Sequence, residues 1–183
     1  MTSSSITTRQ GDDGETQLYS GEIVSKDDPR TQAYGDVDEL GSVLGVGRSL
    51  AKRRAVASAL REVQIWLFTL NAELATSREK LDALHERVDR EMVSALDERC
   101  AAIEAMITMP RGFVVPGATV AAAHIDHART IARRCERRIV ALQEGGQIEN
   151  GSLLAWINRL SDYLWLLARV EEGDAAMDLK DSG

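Results

Sequence analysis

The sequence has few of the residues that build β-sandwiches or membrane spans. Aromatic residues make up 4% of the 183 positions and only three residues are proline, whereas 44% are hydrophobic. This balance favours helices over a β-sandwich. No apolar run reaches the roughly 18 residues that a membrane span needs. We therefore expect a helical domain with a sizeable core and no membrane segment.

Three further absences bear on compartment and partners. The first residues, MTSSSI, show neither the basic region nor the apolar stretch of a secretory signal. Cys100 and Cys135 have no CxxC or disulfide-framework spacing, which is typical of a reducing compartment. The net charge of −7 argues against a nucleic-acid surface. These features predict a soluble, cytoplasmic protein without a nucleic-acid partner.

Composition divides the chain into three parts. Residues 1–30 are rich in Gly, Asp, Ser and Thr. They predict an irregular arm with room for one short extended piece around Leu18 to Val24. Residues 31–172 show helical periodicity, and residues 173–183 are small and acidic, which is typical of a disordered tail.

Apolar residues recur at helical spacing in five segments, which predicts an all-α bundle of about five helices. Asp36, with Glu39 three residues later, resembles a capping box at the start of the first helix. The third helix is predicted over roughly residues 85–107. The five stripes are Val37, Leu40 and Leu44; Val56, Leu60, Val63, Leu67, Leu70 and Leu74; Val88, Met92, Ala95, Leu96, Ile103 and Met106; Ile131, Cys135, Ile139 and Leu142; and Leu153, Trp156, Ile157, Leu160, Leu164, Leu167 and Val170.

One face of the fourth helix carries arginines at four-residue intervals. At about 100° per residue, Arg129, Arg133 and Arg137 lie within about 80° of one another, nearly opposite the apolar stripe. A solvated face is the simplest interpretation, although the three like charges repel one another. Arginine also binds phosphate or carboxylate through two nitrogens. The face therefore indicates either solvent exposure or a bound polyanion or acidic partner.

The GDDG stretch in the arm is a second candidate anion site. Gly11 and Gly14 permit backbone conformations in which successive N–H groups converge on an anion. Asp12 and Asp13 oppose a bare phosphate unless a cation such as Mg²⁺ lies between them. The sequence has no GxxxxGK[ST], so the arm is not a P-loop. A surface turn and a phosphate site both fit these four residues.

Two polar positions within the helices also have two interpretations. Asp38 falls in the predicted first helical turn, where a negative charge complements the helix dipole. Asn158 neighbours Leu154 and Ile157 on the helical wheel, and a buried amide needs hydrogen-bond partners. Core hydrogen bonding and ligand contact explain Asn158 equally well.

Four sequence blocks, taken in order, resemble a known family. They are TTRQGDDGETQLYSGE, VSKDDPRTQAYGDVDELGSVLG, FVVPGA followed by ARTIARRCERRIVAL, and NRLSDYLWLLAR, spanning about residues 7–170. Each block is weak alone, whereas all four in this order and spacing are specific. The sequence resembles the ATP:cob(I)alamin adenosyltransferases of the propanediol-utilisation (PduO) type.

The resemblance implies a five-helix bundle that assembles as a homotrimer with active sites between subunits. The implied reaction transfers the 5′-deoxyadenosyl group of ATP to the cobalt of reduced cobalamin and releases triphosphate. Reduced cobalamin is itself the nucleophile, so the protein is expected to position substrates and neutralise charge. ATP with Mg²⁺ and cobalamin are the implied ligands. A reductase and an adenosylcobalamin-dependent enzyme are the implied further partners.

The resemblance also assigns an ATP site, without naming its metal ligands. Lys26 is the implied phosphate contact, and Asn158 matches an asparagine that touches ATP. The remaining matches are Thr8, Arg9, Gln10, Gly11, Thr16 and Gln17 in the arm, and Arg133, Arg134, Glu136 and Arg137 in the RRxER segment.

Three other positions carry implied roles and, with Arg133, are expected to carry catalysis. Asp38 and Arg129 match a pair whose ion bridge supports the site. Phe113 matches an aromatic residue against the lower face of the corrin, where a bulky ring would exclude axial ligands and make cobalt easier to reduce. From the loop sequence alone, packing beneath the loop is the simpler interpretation of Phe113.

The sequence departs from the family pattern at three positions and leaves two rival functions. Gln10 replaces the usual threonine, Gly41 an asparagine and Ala118 a glycine, but none of these removes a charged site residue. One rival is an adenosylcobalamin-binding delivery protein with little catalysis. The other is a structural bundle whose arginine face binds an acidic partner. Protection by ATP against thermal unfolding would separate a nucleotide binder from the structural bundle.

Overall fold

Five long α-helices and one β-hairpin form the described part of the chain, which is Thr7, Arg9 and residues 11–173 of a computed structural model. The prediction of a helical bundle is confirmed, with a small sheet added. Thr8, Gln10 and the predicted tail from residue 174 onward lie outside the described residues. The elements are β1 (Glu15–Gln17), β2 (Ile23–Ser25), α1 (Pro29–Leu50), α2 (Arg54–Leu74), a 3-10 helix (Arg78–Ala83), α3 (Arg90–Glu104), α4 (Val120–Glu144) and α5 (Gly151–Glu172).

The helices pack in the order α2, α1, α4, α5, α3 across the bundle. Each turns one apolar face inward, and burial of one large aliphatic side chain contributes about 1.5–3 kcal/mol relative to its exposed state. The stripe predicted for α2 is confirmed, since all six of its residues are buried, as are the four apolar positions predicted for α4. Trp156 of α5 is fully buried and meets Trp66 of α2 edge-on, with ring centroids 6.3 Å apart.

The start of α1 differs from the prediction. The helix begins at Pro29, and its N-cap is Asp28, whose side chain accepts from the Arg30 N–H at 2.8 Å. Proline suits the first helical position because its fixed φ is already helical and no N–H is lost there. The capping box at Asp36 is therefore wrong. Asp36 lies two turns inside the helix, where its carboxylate is free to pair with another helix.

α3 is shorter than predicted at both ends. It begins at Arg90, after Asp89, whose side chain accepts from the Met92 N–H at 2.8 Å. The preceding segment is not helical, because the Val88 N–H is bound by the Glu73 carboxylate of α2 at 2.9 Å. At the other end, the amides of Met106 and Ile107 both turn back to the Ile103 carbonyl, which closes the helix at Glu104.

The arm is more regular than predicted, because it contains two paired strands. β1 and β2 run antiparallel, with Thr16 opposite Val24. Gly14 and Gly21 have φ angles of +83° and +97°, a region that residues with a Cβ rarely adopt, and they turn the chain at either end of β1. Gly14, which the sequence singled out, thus supports a hairpin, together with Gly21, which it did not.

The hairpin packs against the end of the bundle that carries the 3-10 helix and the C-terminus of α2. We call this end the docking end. Leu18 is buried there, and the Ser77 N–H donates to the Ser20 hydroxyl at 2.9 Å. Lys80 pairs with Glu22 at 2.8 Å. Hydrogen bonds from Lys80 and Ser20 lower the pKa of Glu22 to about 2, so this carboxylate stays ionised throughout the physiological range.

Arg30 ties the start of α1 to the same end of the bundle. Its guanidinium donates to the carbonyls of Leu74 and Thr76 at 2.9 and 3.0 Å, and to that of Gln147 at 2.5 Å. These contacts join the end of α2 to the loop before α5. Arg30 follows β2 closely in sequence, so it also fixes where the hairpin leaves the bundle. Within the described ranges, no helix is long and apolar enough to cross a membrane.

Candidate functional site

The arginines of α4 divide into those with carboxylate partners and those without. Arg134 pairs with Asp36 at 3.2 Å and also with Glu39, both from α1. Arg138 reaches the other oxygen of Asp36 at 3.6 Å. These contacts clamp α1 against α4. Because two carboxylates already hold Arg134, its predicted ATP contact stays a prediction.

Arg133 and Arg137 are exposed and form no ion pair with any residue in the described ranges. Arg137 donates only to the Arg133 backbone carbonyl, at 3.0 Å. We call these two residues the open arginines. Both lie on the face opposite the buried Cys135, as the spacing predicted. Two adjacent cations without an ion-pair partner among the described residues form a surface suited to a polyanionic ligand.

Asn158 lies on α5, half-buried next to the open arginines' helix. Its Nδ2 donates to Glu136 Oε1 at 2.8 Å, and its Oδ1 accepts from Arg159 Nη1 at 3.1 Å. Arg159 in turn pairs with Asp97 of α3 at 2.5 Å. The structure thus brings Glu136 and Asn158 into contact, because α4 and α5 pack side by side. Arg133 and Arg137 flank Glu136 along α4.

The arm holds a second group of predicted site residues. Lys26 Nζ donates to the Gly11 carbonyl at 2.5 Å, and the Lys26 N–H donates to the Gly14 carbonyl at 2.9 Å. A Cβ on Gly11 would come within 2.9 Å of Lys26 Nζ, so glycine permits this close approach. Arg9 has a φ of +59°, uncommon for a residue other than glycine.

Thr16 and Gln17 belong to β1, and Gln17 Nε2 donates to the Gly21 carbonyl at 3.0 Å. No hydrogen bond or ion pair in residues 11–173 joins the arm to the open arginines or to Asn158. Among the described residues, the predicted site residues therefore fall into two half-sites, one on the arm and one across α4 and α5, which no hydrogen bond or ion pair joins.

The predicted partnership of Asp38 with Arg129 does not form within this chain. Arg129 Nε instead pairs with Asp126 on its own helix at 3.3 Å, and Asp38 is exposed on α1. Asp126 and Arg129 are one turn apart, whereas Asp38 lies on another helix. With Nε engaged, the two terminal nitrogens of Arg129 stay available to a further acceptor.

Phe113 lies in the loop between α3 and α4 and is 85% exposed. It does not pack beneath the loop, so the simpler interpretation of this residue is wrong for the isolated chain. Met106, Met109 and Val115 of the same loop are also exposed. A cavity of about 460 Å³ opens beside this loop, lined by the loop, by Arg53 at the N-cap of α2 and by the end of α5.

Sequence reasoning missed a buried charge network behind Arg129. Asp126 also accepts from Arg169 Nη2 of α5 at 2.6 Å, and Arg169 Nε donates to Glu172 at 2.6 Å. Charged residues that are almost wholly buried usually carry partners. The sequence signal was the spacing of Arg169 and Glu172, which places both on one helix face.

Neither cysteine is suited to thiolate chemistry. Burial raises the pKa of Cys100 to about 11 and that of Cys135 to about 12. Both thiols therefore stay protonated at neutral pH. Thiolates are the nucleophilic and metal-binding forms of cysteine, so neither residue is prepared for such a role.

A profile of the cobalamin adenosyltransferase family matches residues 6–171, nearly the whole chain. The chain belongs to this family. The resemblance found in the four sequence blocks is thereby confirmed. Residues 6–30 of the arm, the open arginines and Asn158 all fall inside the matched range.

Relatives of this family member include corrinoid adenosyltransferase PduO of Citrobacter freundii. It is 39% identical over 170 residues, covering 93% of this chain and 50% of that protein, and the PduO of Salmonella typhimurium matches to the same extent. The chain thus spans about half the length of these two relatives. Another corrinoid adenosyltransferase of C. freundii is 39% identical over 167 residues, covering 91% of this chain and 94% of that protein.

Solved structures share the fold of this family member. A phenylalanine-to-histidine variant of the PduO-type ATP:corrinoid adenosyltransferase from Lactobacillus reuteri, complexed with cobalamin and ATP, gives a TM-score of 0.85 at 34% identity. The match covers 92% of this chain and 91% of that one. An arginine-to-lysine variant from L. reuteri, complexed with ATP, gives 0.84 at 35% identity, covering 94% and 98%.

Proposed function

We propose that the protein is an ATP:cob(I)alamin adenosyltransferase. It transfers the 5′-deoxyadenosyl group of ATP to the cobalt of reduced cobalamin and releases triphosphate. Family membership and the relatives solved with ATP and cobalamin support this reaction. The observation that carries the proposal is the open arginines, Arg133 and Arg137. They flank Glu136, which accepts from the Asn158 amide, while the neighbouring Arg134 and Arg138 are paired.

The reaction requires the protein to neutralise the charge of the leaving triphosphate and to position the two substrates. A bond forms between cobalt and the C5′ carbon of ATP, and the bond from C5′ to the first phosphate oxygen breaks, so triphosphate leaves with its bonding electrons. Arg133 and Arg137 would neutralise that departing charge, and Lys26 would hold the phosphates from the arm. No protein nucleophile is needed, which agrees with the protonated state of both cysteines.

ATP would bind as its Mg²⁺ complex, with Asp12 and Asp13 of the arm as the candidate carboxylates for the metal. Asp12 and Asp13 are exposed next to Gly11, in a turn whose backbone can approach phosphates closely. Mg²⁺ accepts oxygen ligands and keeps several waters, so a turn with one carboxylate and phosphate oxygens suits it. The metal would screen charge on the phosphates, while Lys26 holds the turn in place through Gly11.

The two half-sites fit a homotrimer with active sites between subunits. We propose that residues 1–30 act as a nucleotide-binding arm for the α4–α5 surface of a neighbouring copy, while residues 31–172 form the bundle. The exposed Asp38 would then reach the free terminal nitrogens of Arg129 in that copy. We further propose that the protein is cytoplasmic. Its proposed protein partners are a reductase and an adenosylcobalamin-dependent enzyme.

In this proposal, the exposed ring of Phe113 contacts the bound cobalamin. It would cover the lower face of the corrin, excluding water and the cofactor's own base from cobalt. An exposed aromatic ring on a loop is otherwise unfavourable, and contact with a large planar ligand would bury it.

The absorption spectrum of cobalamin tests the proposal directly. Purified protein, saturating MgATP and fully prereduced cobalamin should give adenosylcobalamin with stoichiometric triphosphate. Binding of adenosylcobalamin without its synthesis would instead support a delivery protein. Failure of ATP to raise the unfolding temperature would support the structural bundle.

A further inference from the structure

The Asn158 amide is held at both ends by different helices. Its Nδ2 donates to Glu136 of α4, and its Oδ1 accepts from Arg159, the next residue of α5. A carboxylate only accepts and a guanidinium only donates, so these two contacts admit one orientation of the amide. One N–H and one carbonyl lone pair are left over, in a fixed arrangement.

Arg159 is itself anchored from α3. Its Nε donates to Asp97 Oδ1 at 2.5 Å, while its Nη1 turns to Asn158. The side chains of Arg159 and Asp97 are 42% and 50% exposed. An exposed pair of this kind adds little to folding. The main effect of the Arg159–Asp97 pair is therefore on Asn158, the residue to which Arg159 donates a hydrogen bond.

We propose that Arg159, anchored by Asp97, is a positioning residue that fixes the Asn158 amide for ATP. The inference rests on the proposed function, because the contact of Asn158 with ATP comes from the family. Without Arg159, the Asn158 oxygen loses its protein donor, and ATP must order the amide on binding. This cost falls on ATP binding, so KM rises while kcat changes little.

The first test compares Arg159→Ala with the wild type. We expect KM for ATP to rise about fivefold, with kcat within about twofold, and Asp97→Asn to give about half that rise. The matched control is Glu149→Gln, which breaks an equally short exposed pair with Arg78, away from Asn158. The control should leave KM unchanged. An equal KM in Arg159→Ala and wild type would overturn the inference.

Two combinations separate positioning from simple ion pairing. Exchanging the charges, with Asp97→Arg and Arg159→Asp together, restores an ion pair but removes the donor to Asn158. KM should stay raised, and its recovery would contradict the inference. In an Asn158→Ala background, Arg159→Ala should add nothing, whereas a further full increase in KM would also contradict it.

Direct titration with MgATP keeps this inference distinct from the proposed reaction. Weaker ATP binding in Arg159→Ala supports positioning even if the wild type makes no adenosylcobalamin. That second result would count against the proposed reaction alone. Unchanged ATP affinity in Arg159→Ala would reject the positioning role alone.

Discussion

The docking end of the bundle and the α4–α5 surface use charged residues in opposite ways. At the docking end, Glu73 is buried and accepts from Arg87, from Asn150 at 2.8 Å and from the Val88 N–H at 2.9 Å. On the α4–α5 surface, Arg133 and Arg137 are exposed and have no carboxylate partner among the described residues. The comparison suggests two kinds of charged residue: those that stabilise the fold through partners within the chain, and those available to bind a ligand. Each substitution below tests that division.

Glu73→Ala should have the largest effect. Removing this carboxylate leaves the buried Val88 N–H without its acceptor and leaves the Asn150 amide with the Val88 carbonyl as its remaining acceptor. We expect a loss of about 3 kcal/mol, or a fall of roughly 6–12 °C in Tm. Glu73→Gln keeps an acceptor oxygen and should lose clearly less. Differential scanning calorimetry makes the comparison, and an unchanged Tm in Glu73→Ala would show that the docking end does not depend on this network.

Arg133→Ala should give the converse result. The Arg133 side chain has no ion-pair partner among the described residues, so Tm should stay within about 1 °C. Loss of one charged ligand to phosphate should lower kcat/KM about 100-fold. Arg138→Ala is the control on the same helix, because Arg138 pairs with Asp36 and should lose less than about threefold in activity. Similar losses of kcat/KM in both variants would mean that the open arginines do not differ in function from their paired neighbours.

Arg134→Ala should have a smaller effect, and on stability. Its guanidinium joins α4 to Asp36 and Glu39 of α1, and its side chain is 37% exposed. After allowance for solvent screening, we expect a loss of about 1 kcal/mol, or roughly 2–4 °C in Tm. If Tm is unchanged while KM for ATP rises strongly, Arg134 is a phosphate ligand as the family resemblance implies.

The smallest effect concerns pH and the docked hairpin. The pKa of Glu22 lies at about 2, below its ordinary 4.5, because Lys80 and Ser20 donate to it. Its stabilising contribution is therefore complete above pH 4.5 and is lost as pH falls towards 2. Limited proteolysis of the arm should show no change from pH 7 to 5. Lys80→Gln should move the loss to higher pH, and a wild-type arm released already at pH 6 would contradict this assignment.

Local sequence signals were enough for most of the helices. The stripe from Val56 to Leu74 repeats every three or four residues, and burial of all six positions follows from that spacing alone. The predicted start of α1 was wrong because two acidic residues, Asp28 and Asp36, were both candidates for the N-cap. Asp28 with Pro29 is a helix-start signal, and Asp36 with Glu39 matches the capping-box pattern as well, so the local sequence does not decide between them.

The placement of the candidate site residues was partly predictable, and their roles in binding and catalysis stay predictions. Spacing placed Arg133 and Arg137 on one face, opposite Cys135, as the structure has them. It could not show that Arg134 is paired, because its partner Asp36 lies almost a hundred residues earlier in the chain. Nor could it show that Arg159 orients Asn158, since that depends on how α3 and α4 flank α5.

The separation of the arm from the α4–α5 surface has a consequence for mixtures of defective chains. If each active site takes its arm from one copy and its arginines from the next, two inactive variants can repair each other. A Lys26→Ala chain still offers intact arginines, and an Arg133→Ala chain still offers an intact arm. In trimers assembled randomly from equal amounts of both, about a quarter of the sites would join the two intact halves. Each variant alone would have none. Regained activity on co-refolding would therefore count, site by site, how often one chain completes another.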